Sequence, residues 1–213
     1  KRELKMAYQN GYVIKKIYCN SNIIDLSKVS NEYDCEIIEI NNHIYSKISF
    51  RDTTEGLVSL VCEKNQIISV DESKINLVMV IDGVEKPGNI GAILRSCDAA
   101  NVDFIIITNQ KCDLYNPNVI RSSLGSIFSQ KIIQLESKKA FDLLKNHNFS
   151  IFATSLNSTE SYESIKYNNS CAIIVGSENL GISKFWQKNS DQLIKIPMLG
   201  LIDSLNVSVS AAI

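Results

Sequence analysis

Asn89 and Arg95 lie in a segment that follows an apolar run and begins with turn-forming residues. Pro87 and Gly88 predict a turn, and Asn89 is predicted to be the N-cap of the helix that follows. Arg95 then lies near the opposite side of that helix, among apolar residues, where a charged side chain needs a partner. That partner is either Asp98, three residues further on, or a bound anion or ribose, and the spacing favours neither.

A second candidate segment surrounds Glu178, which lies between Gly176 and Gly181 at the end of another apolar run. Glycines allow a backbone to approach a ligand closely. The spacing differs from GxGxxG and from a Walker loop, so a dinucleotide or nucleoside triphosphate site gains little support. The segment is either a plain strand-to-helix turn or a loop in which Glu178 makes a polar contact with a ligand.

The third candidate segment combines polar and apolar residues near the end of the sequence. Ser204 is predicted to cap a helix that starts at Leu205. Asn206, Ser208 and Ser210 then place an amide and two hydroxyl groups among apolar residues. Buried polar groups need hydrogen-bond partners. A helix start that served only the fold would not need three such side chains, so they indicate a functional role as well.

The elements that must position these segments alternate between strands and helices. Near-continuous apolar runs, typical of parallel strands buried on both faces, occur at residues 77–81, 104–108, 131–135, 150–153 and 172–175. Helices are predicted between them at residues 90–100, 138–145 and 184–189. The alternation predicts an α/β domain with a doubly wound parallel sheet, in which ligands bind beyond the carboxyl ends of the strands.

The beginning of the sequence has a different pattern. Short strands are predicted at residues 14–18, 37–40 and 57–62, and a polar turn at residues 51–56. We therefore predict a small mixed α/β domain at residues 1–64, a linker at residues 65–76 and the parallel-sheet domain at residues 77–213.

The composition is that of a globular protein, with 213 residues of which 45% are hydrophobic and 21% charged. A net charge of -1 excludes a protein that binds nucleic acid through overall positive charge, but it allows a local basic patch. The first 18 residues contain Lys1, Arg2, Lys5, Lys15 and Lys16 against one acidic residue, Glu3. These basic residues form either a solvated helix face or a phosphate contact.

Neither a metal site nor a membrane helix gains support from the sequence. The six cysteines include no CxxC pair, and neither His43 nor His147 lies near one, so we predict no zinc or haem site. Isolated cysteines favour buried thiols in a reducing cytosol, which predicts a cytoplasmic location. The sequence has no run of about 18 apolar residues, so no transmembrane helix is predicted.

The three segments together resemble the ordered motifs of the SpoU (TrmH) family of RNA ribose 2′-O-methyltransferases, in the SPOUT superfamily. The matching motifs are Asn89-x-Gly91-x-x-x-Arg95, Gly176-x-Glu178-x-x-Gly181, Ile196-Pro197-Met198 and Ser204-Leu205-Asn206-Val207-Ser208. The resemblance covers the parallel-sheet domain, and it implies a homodimer with a trefoil knot near the C-terminus. It also implies that S-adenosylmethionine binds in the knot, where backbone atoms of Gly176, Ile196 and Leu205 contact its adenosine part.

The resemblance implies a role for each polar motif residue, without a metal. Arg95 lies at the target ribose, and since the pKa of a free arginine is above about 12, we favour orientation of the hydroxyl and stabilisation of alkoxide charge over a base role. Asn89 holds the loop or the nucleotide. Glu178 fixes the second motif by accepting hydrogen bonds, and Ser204 and Asn206 support the donor pocket and the substrate.

The resemblance also implies an RNA substrate. The small domain is similar to the RNA-binding domain of many family members, which favours ribosomal RNA. The segments at residues 82–96 and 196–210 also resemble the antibiotic-resistance branch of the family, which modifies large-subunit ribosomal RNA. One alternative is a tRNA ribose 2′-O-methyltransferase, although single-domain tRNA enzymes rely on basic extensions that a net charge of -1 does not favour. The other is a non-catalytic RNA-binding or assembly factor, which has no chemical need for all five polar motif residues. Family members continue beyond the third motif into a helix, so we expect the natural chain to extend past Ile213.

Overall fold

A computed structural model describes residues 1–50, 55–64, 66, 70, 74 and 76–213. The chain divides into two compact units, Lys1–Asn65 and Gln66–Ile213. Residues 51–54 of the expected polar turn and most of the expected linker lie outside the described residues. Asn76, which we placed at the end of the linker, is instead the first residue of a strand.

The described residues of the smaller unit form a three-stranded mixed sheet and three helices. Its strands are β1 (Ile14–Cys19), β2 (Glu36–Glu39) and β3 (Leu57–Val61), and its helices are α1 (Arg2–Gln9), α2 (Leu26–Glu32) and α3 (Asn42–Ile48). The sheet order is β2-β1-β3, with β2 parallel and β3 antiparallel to β1. Ile17 and Cys19 of the central strand pack with Leu4, Val29 and Tyr33 in a buried core.

The larger unit contains a six-stranded sheet in which every neighbouring pair is parallel. The strands are β4 (Asn76–Asp82), β5 (Phe104–Thr108), β6 (Ile132–Gln134), β7 (Ser150–Thr154), β8 (Ser170–Gly176) and β9 (Gln192–Ile194). The helices are α4 (Pro87–Ala99), α5 (Pro117–Ser122), α6 (Ser137–Asn146), α7 (Lys184–Asn189) and α8 (Val207–Ser210). The predicted α/β class with a parallel sheet is confirmed. The prediction missed α5.

The near-continuous apolar strands are buried because both faces of the sheet are covered. Val78 and Val80 of β4 pack in one core with Leu144 of α6 and Trp186 of α7. Side chains alternate along a strand, so the equally buried Met79 and Ile81 point to the other face. No helix among the described residues is long and apolar enough to cross a membrane.

The strand order brings distant segments of the chain to one edge of the sheet. The order is β6-β5-β4-β8-β7-β9, so β4 and β8 are neighbours although about ninety residues separate them in sequence. Asp82 at the end of β4 is paired with Gly176 at the end of β8. The first and second candidate segments therefore leave the sheet side by side, at the edge where α/β proteins bind ligands.

Helix α4 begins earlier than the sequence indicated. Lys86 is its N-cap and Pro87 is its first residue, so the predicted turn at Pro87 and Gly88 is wrong, and so is the prediction that Asn89 is the N-cap. Proline suits the first helical position because its fixed φ matches the helix and its missing N–H would lack an intrahelical partner there. Asn89 lies in the first turn, where its backbone N–H donates to the Lys86 carbonyl at 3.0 Å.

Helix α8 begins at Val207, and its N-cap is Asn206. The prediction that Ser204 caps this helix is therefore wrong. The Asn206 side-chain oxygen accepts from the Ser208 backbone N–H at 3.0 Å and from the Ser208 hydroxyl at 2.6 Å. Asparagine is among the strongest capping residues, and here it satisfies a helix N–H that would otherwise lack a partner.

Candidate functional site

The edge of the sheet is held together by a buried carboxylate that the sequence analysis did not single out. Asp82 is 2% exposed. It accepts hydrogen bonds from the Thr108 hydroxyl at 2.8 Å, the Asn109 side-chain amide at 2.7 Å and the Ser183 backbone N–H at 2.6 Å. The carboxylate therefore fixes the ends of β4 and β5 and the start of α7. The loop between β8 and α7, which carries Glu178, is thereby anchored at its far end.

Residues from all three candidate segments meet at the carboxylate of Glu178. Its Oε1 accepts a hydrogen bond from the side-chain amide of Asn206. The same Asn206 amide donates to Oδ1 of Asn89 at 3.2 Å. Lys86, at the start of α4, is the fourth residue of this cluster of side chains. Its Nζ lies 2.6 Å from Glu178 Oε2. The sequence analysis predicted Asn89, Glu178 and Asn206 as site residues but missed Lys86.

The surroundings of Glu178 lower the pKa of its carboxyl group. The ammonium of Lys86 lowers the pKa of this carboxyl group most, and hydrogen bonds from Asn89 and Asn206 lower it further. Partial burial acts in the opposite direction but is outweighed. At neutral pH Glu178 is therefore a carboxylate that accepts on both oxygens, as a group that organises neighbouring donors must be.

A cavity of about 290 Å³ lies beside this group of side chains. The three residues that we predicted to bind the donor, Gly176, Ile196 and Leu205, all line it, together with Glu178 and Ser204. The lining also includes polar residues that the sequence analysis did not identify: Thr154, Ser155, Asn157, Gln187 and Lys195. They lie at or after the end of β7, within α7 or directly after β9, and no local motif marks them. Ser204 is exposed, and its hydroxyl donates to Asp203 at 3.1 Å.

The two glycines of the second segment are required by the backbone itself. A Cβ on Gly176 would lie 2.2 Å from the carbonyl carbon and 2.4 Å from the carbonyl oxygen of Gly181. Gly181 has a φ of +67°, which side-chain-bearing residues rarely adopt. This close approach turns the chain back at the end of β8 and shapes one wall of the cavity.

Arg95 is exposed on α4. Among the residues that the structure describes, none forms an ion pair or hydrogen bond with its guanidinium. Asp98 instead accepts a hydrogen bond from the Ser129 hydroxyl at 3.0 Å, so the structure does not contain the Arg95–Asp98 salt bridge that we considered. Arg95 does not line the cavity. Its charge is therefore available to an anionic or polar ligand outside the cavity.

The described residues contain no cluster of three or more His, Cys, Asp and Glu side chains that could hold a metal ion. The described residues supply backbone amides and carbonyls, the oriented carboxylates of Asp82 and Glu178, amide side chains and the exposed guanidinium of Arg95. Such a set can bind an uncharged or zwitterionic small molecule and position a second substrate next to it.

Comparison with known proteins places the chain in a family. The SpoU rRNA methylase family matches residues 76–213. A relative from Staphylococcus aureus, named as a TrmH family tRNA/rRNA methyltransferase, is 35% identical over 144 residues. That match covers 67% of this chain and 58% of the relative, so the chain spans less than two thirds of that protein.

Two solved structures are similar over nearly the whole chain. A crystal structure of an RNA 2′-O ribose methyltransferase is 32% identical with a TM-score of 0.83, and the match covers 99% of this chain and 82% of that one. The SpoU methyltransferase AviRb from Streptomyces viridochromogenes, solved with AdoMet bound, has a TM-score of 0.90 at 22% identity. That match covers 99% of this chain and 84% of AviRb, and at this identity it shows the fold alone. Since the family match spans both loops at the shared sheet edge and the third segment beside them, the chain belongs to the SpoU rRNA methylase family.

Proposed function

We propose that this protein transfers the methyl group of S-adenosylmethionine to a ribose 2′-hydroxyl of RNA. The observation that carries the proposal is that Gly176, Ile196 and Leu205 line one cavity. These residues come from the second and third segments, which meet there although they are separated in sequence. The cavity walls combine apolar side chains such as Val175 and Met198 with exposed backbone groups, which fits a nucleoside-like ligand that lacks phosphate groups.

When bound, S-adenosylmethionine supplies a methyl group that is attached to a positively charged sulfur. The 2′-oxygen displaces the sulfur from this methyl group in one step. The protein must therefore align the hydroxyl with the methyl group and help it to lose its proton. In this proposal the guanidinium of Arg95 donates to the 2′-oxygen and stabilises its developing negative charge. A guanidinium with a pKa above about 12 does not accept the proton, which passes to solvent or to an RNA phosphate.

The remaining site residues position these groups. Glu178 orients the amide of Asn206, and Asn206 in turn fixes the start of α8. Asn89 accepts from the same amide and holds the first segment against the third. In this proposal Ser204 supports the donor pocket, which it lines. No step requires a metal ion.

The smaller unit supports the assignment of RNA as the substrate. A second cavity, of about 310 Å³, is lined by four cationic residues, Lys1, Arg2, Lys5 and Lys28, against one acidic residue, Glu32. Lys5 and Lys28 are exposed and belong to α1 and α2. We propose that this basic surface contacts RNA phosphates, because contacts between clustered lysines or arginines and phosphates supply a large share of the binding free energy for nucleic acids. The smaller unit is then the substrate-binding domain.

We further propose that the RNA is ribosomal, with the large-subunit RNA favoured, and that the protein acts in the cytoplasm. The description of the matched family supports ribosomal RNA. We propose a homodimer, which exposed apolar side chains of the third segment support: Leu199, Leu201 and Ile202. A trefoil knot around the donor pocket is part of the same proposal. Methylation of tRNA and RNA binding without catalysis remain the competing functions.

Transfer of tritium from labelled S-adenosylmethionine to separately supplied ribosomal RNA and tRNA tests this assignment. Wild-type protein and R95A should be compared. We expect label in ribosomal RNA, protection of one linkage from alkaline hydrolysis and loss of both in R95A. Label in tRNA alone would replace the ribosomal substrate with tRNA. Donor binding without transfer to either RNA would favour the non-catalytic factor.

A further inference from the structure

Lys86 contacts Glu178, although Lys86 is not one of the motif residues considered above. It is the N-cap of α4, and its Nζ lies 2.6 Å from Oε2 of Glu178, 92 residues away in sequence. The Lys86 side chain is 71% exposed and that of Glu178 is 23% exposed. An exposed ion pair contributes little by itself. Its effect depends on what else the shared carboxylate holds.

The other oxygen of Glu178 holds the third segment. It accepts from the Asn206 side-chain amide, and Asn206 Oδ1 caps α8. Leu205, which lines the cavity, directly precedes Asn206. Packing does not hold the residues before it, because Leu199 and Leu201 are 99% and 106% exposed. The hydrogen bonds of Asn206, together with the buried side chain of Val207, therefore hold this part of the cavity wall.

The carboxylate of Glu178 connects Lys86 to Asn206. A carboxylate accepts on both oxygens, so Glu178 contacts Lys86 through Oε2 and Asn206 through Oε1. Among the described residues, Lys86 is the charged group that faces Glu178, and the other partners, Asn89 and Asn206, are neutral amides. Lys86 thus holds Oε2 of the Glu178 carboxylate in place while Oε1 accepts from Asn206.

We propose that Lys86 is a positioning residue for methyl transfer: by holding the carboxylate of Glu178 it fixes Asn206, and through Asn206 the wall of the cavity around Leu205. The inference rests on the proposed function in one respect, because it takes the cavity to bind S-adenosylmethionine. It adds a residue outside the motifs and a chain of contacts through which that residue acts.

The ligand-free protein gives the first test. In K86M the pKa of Glu178, measured by carbon-detected NMR titration, should rise, because Lys86 is the largest cause of its lowering. The side-chain amide signal of Asn206 should shift with it, and K86R should restore both. K138M is the matched control, since Lys138 forms an equally short ion pair with Asp142 at 2.6 Å, is similarly exposed and does not line the cavity. It should change neither signal.

Calorimetric titration with S-adenosylmethionine gives the second test. We expect K86M to weaken donor binding about fivefold, the upper range for an exposed charged contact, while K86R and K138M bind as the wild type does. An unchanged Asn206 amide signal in K86M would overturn the inference, and so would an altered signal with unchanged donor affinity. A wild-type protein that binds no donor would contradict the proposed function instead, and the NMR titration would still decide whether Lys86 holds Glu178 and Asn206.

Discussion

At the scale of single residues, Arg95 carries a positive charge that no described residue pairs with. It is exposed and has no ion pair or hydrogen bond among those residues, so its removal should not destabilise the fold. We expect R95A to lower kcat by about a hundredfold, the size of losing one donor to a developing oxyanion. Because Arg95 does not line the cavity, the affinity for S-adenosylmethionine should stay unchanged. Single-turnover assays with calorimetry measure the two effects separately, and a wild-type kcat would remove Arg95 from the mechanism.

The sequence identified those polar side chains whose type and spacing within one segment already indicated a site. It selected Asn89, Glu178 and Asn206, which the structure joins through hydrogen bonds. It missed Lys86 and Asp82, because their hydrogen-bond partners lie far away in the sequence and no local residue pattern marks either one. The contact between Lys86 and Glu178 exists only because β4 and β8 are adjacent in the sheet. The catalytic and donor-binding roles of the selected residues remain predictions.

At the scale of elements, the turn after β8 depends on a close approach of two backbone segments. A Cβ on Gly176 would lie 2.2 Å from the carbonyl carbon of Gly181, and neither backbone segment can move without shifting the strand. We expect G176A to lower the free energy of unfolding by about 2 kcal/mol or more. Urea unfolding followed through Trp186, the single tryptophan and fully buried in the larger unit, measures this change.

The matched control for that substitution is G88A. Gly88 lies in the first turn of α4, and a Cβ there would meet nothing within 4 Å. Alanine is the better helix former, so G88A should be neutral or stabilise by up to about 1 kcal/mol. Equal effects of the two substitutions would show that the close approach at Gly176 does not constrain the fold.

The existence of elements was easier to predict than their ends. Continuous apolar runs identified five strands of the larger unit, because burial on both faces leaves a clear signal. The sixth strand, β9, was not among these apolar runs. The predicted start of α8 was wrong because two capping residues, Ser204 and Asn206, occur close together. The predicted start of α4 was wrong because its N-cap, Lys86, makes no side-chain capping hydrogen bond and is not a residue type that marks a helix start. Only the folded chain shows that Lys86 and Asn206, rather than Asn89 and Ser204, occupy the caps.

At the scale of the whole molecule, the proposal assigns RNA binding to the smaller unit. Lys5 and Lys28 line its basic cavity, so the double variant K5E/K28E should weaken RNA binding and reduce its salt dependence. The slope of log affinity against log salt should fall by roughly one to two, as expected for the loss of about two phosphate contacts. Fluorescence anisotropy at several salt concentrations measures the slope. K138E, an exposed lysine of the larger unit, is the control, and equal slopes for the two variants would contradict the assignment.

If the protein methylates a ribose 2′-oxygen, the reaction product carries the methyl group on that atom. Purified protein should be incubated with ribosomal RNA and S-adenosylmethionine that carries a deuterated methyl group. The RNA should then be digested to nucleosides and analysed by mass spectrometry. We predict one labelled nucleoside whose extra mass lies on the ribose, absent from the R95A reaction. Label found on a base, or no labelled nucleoside although the protein binds the donor, would contradict the account.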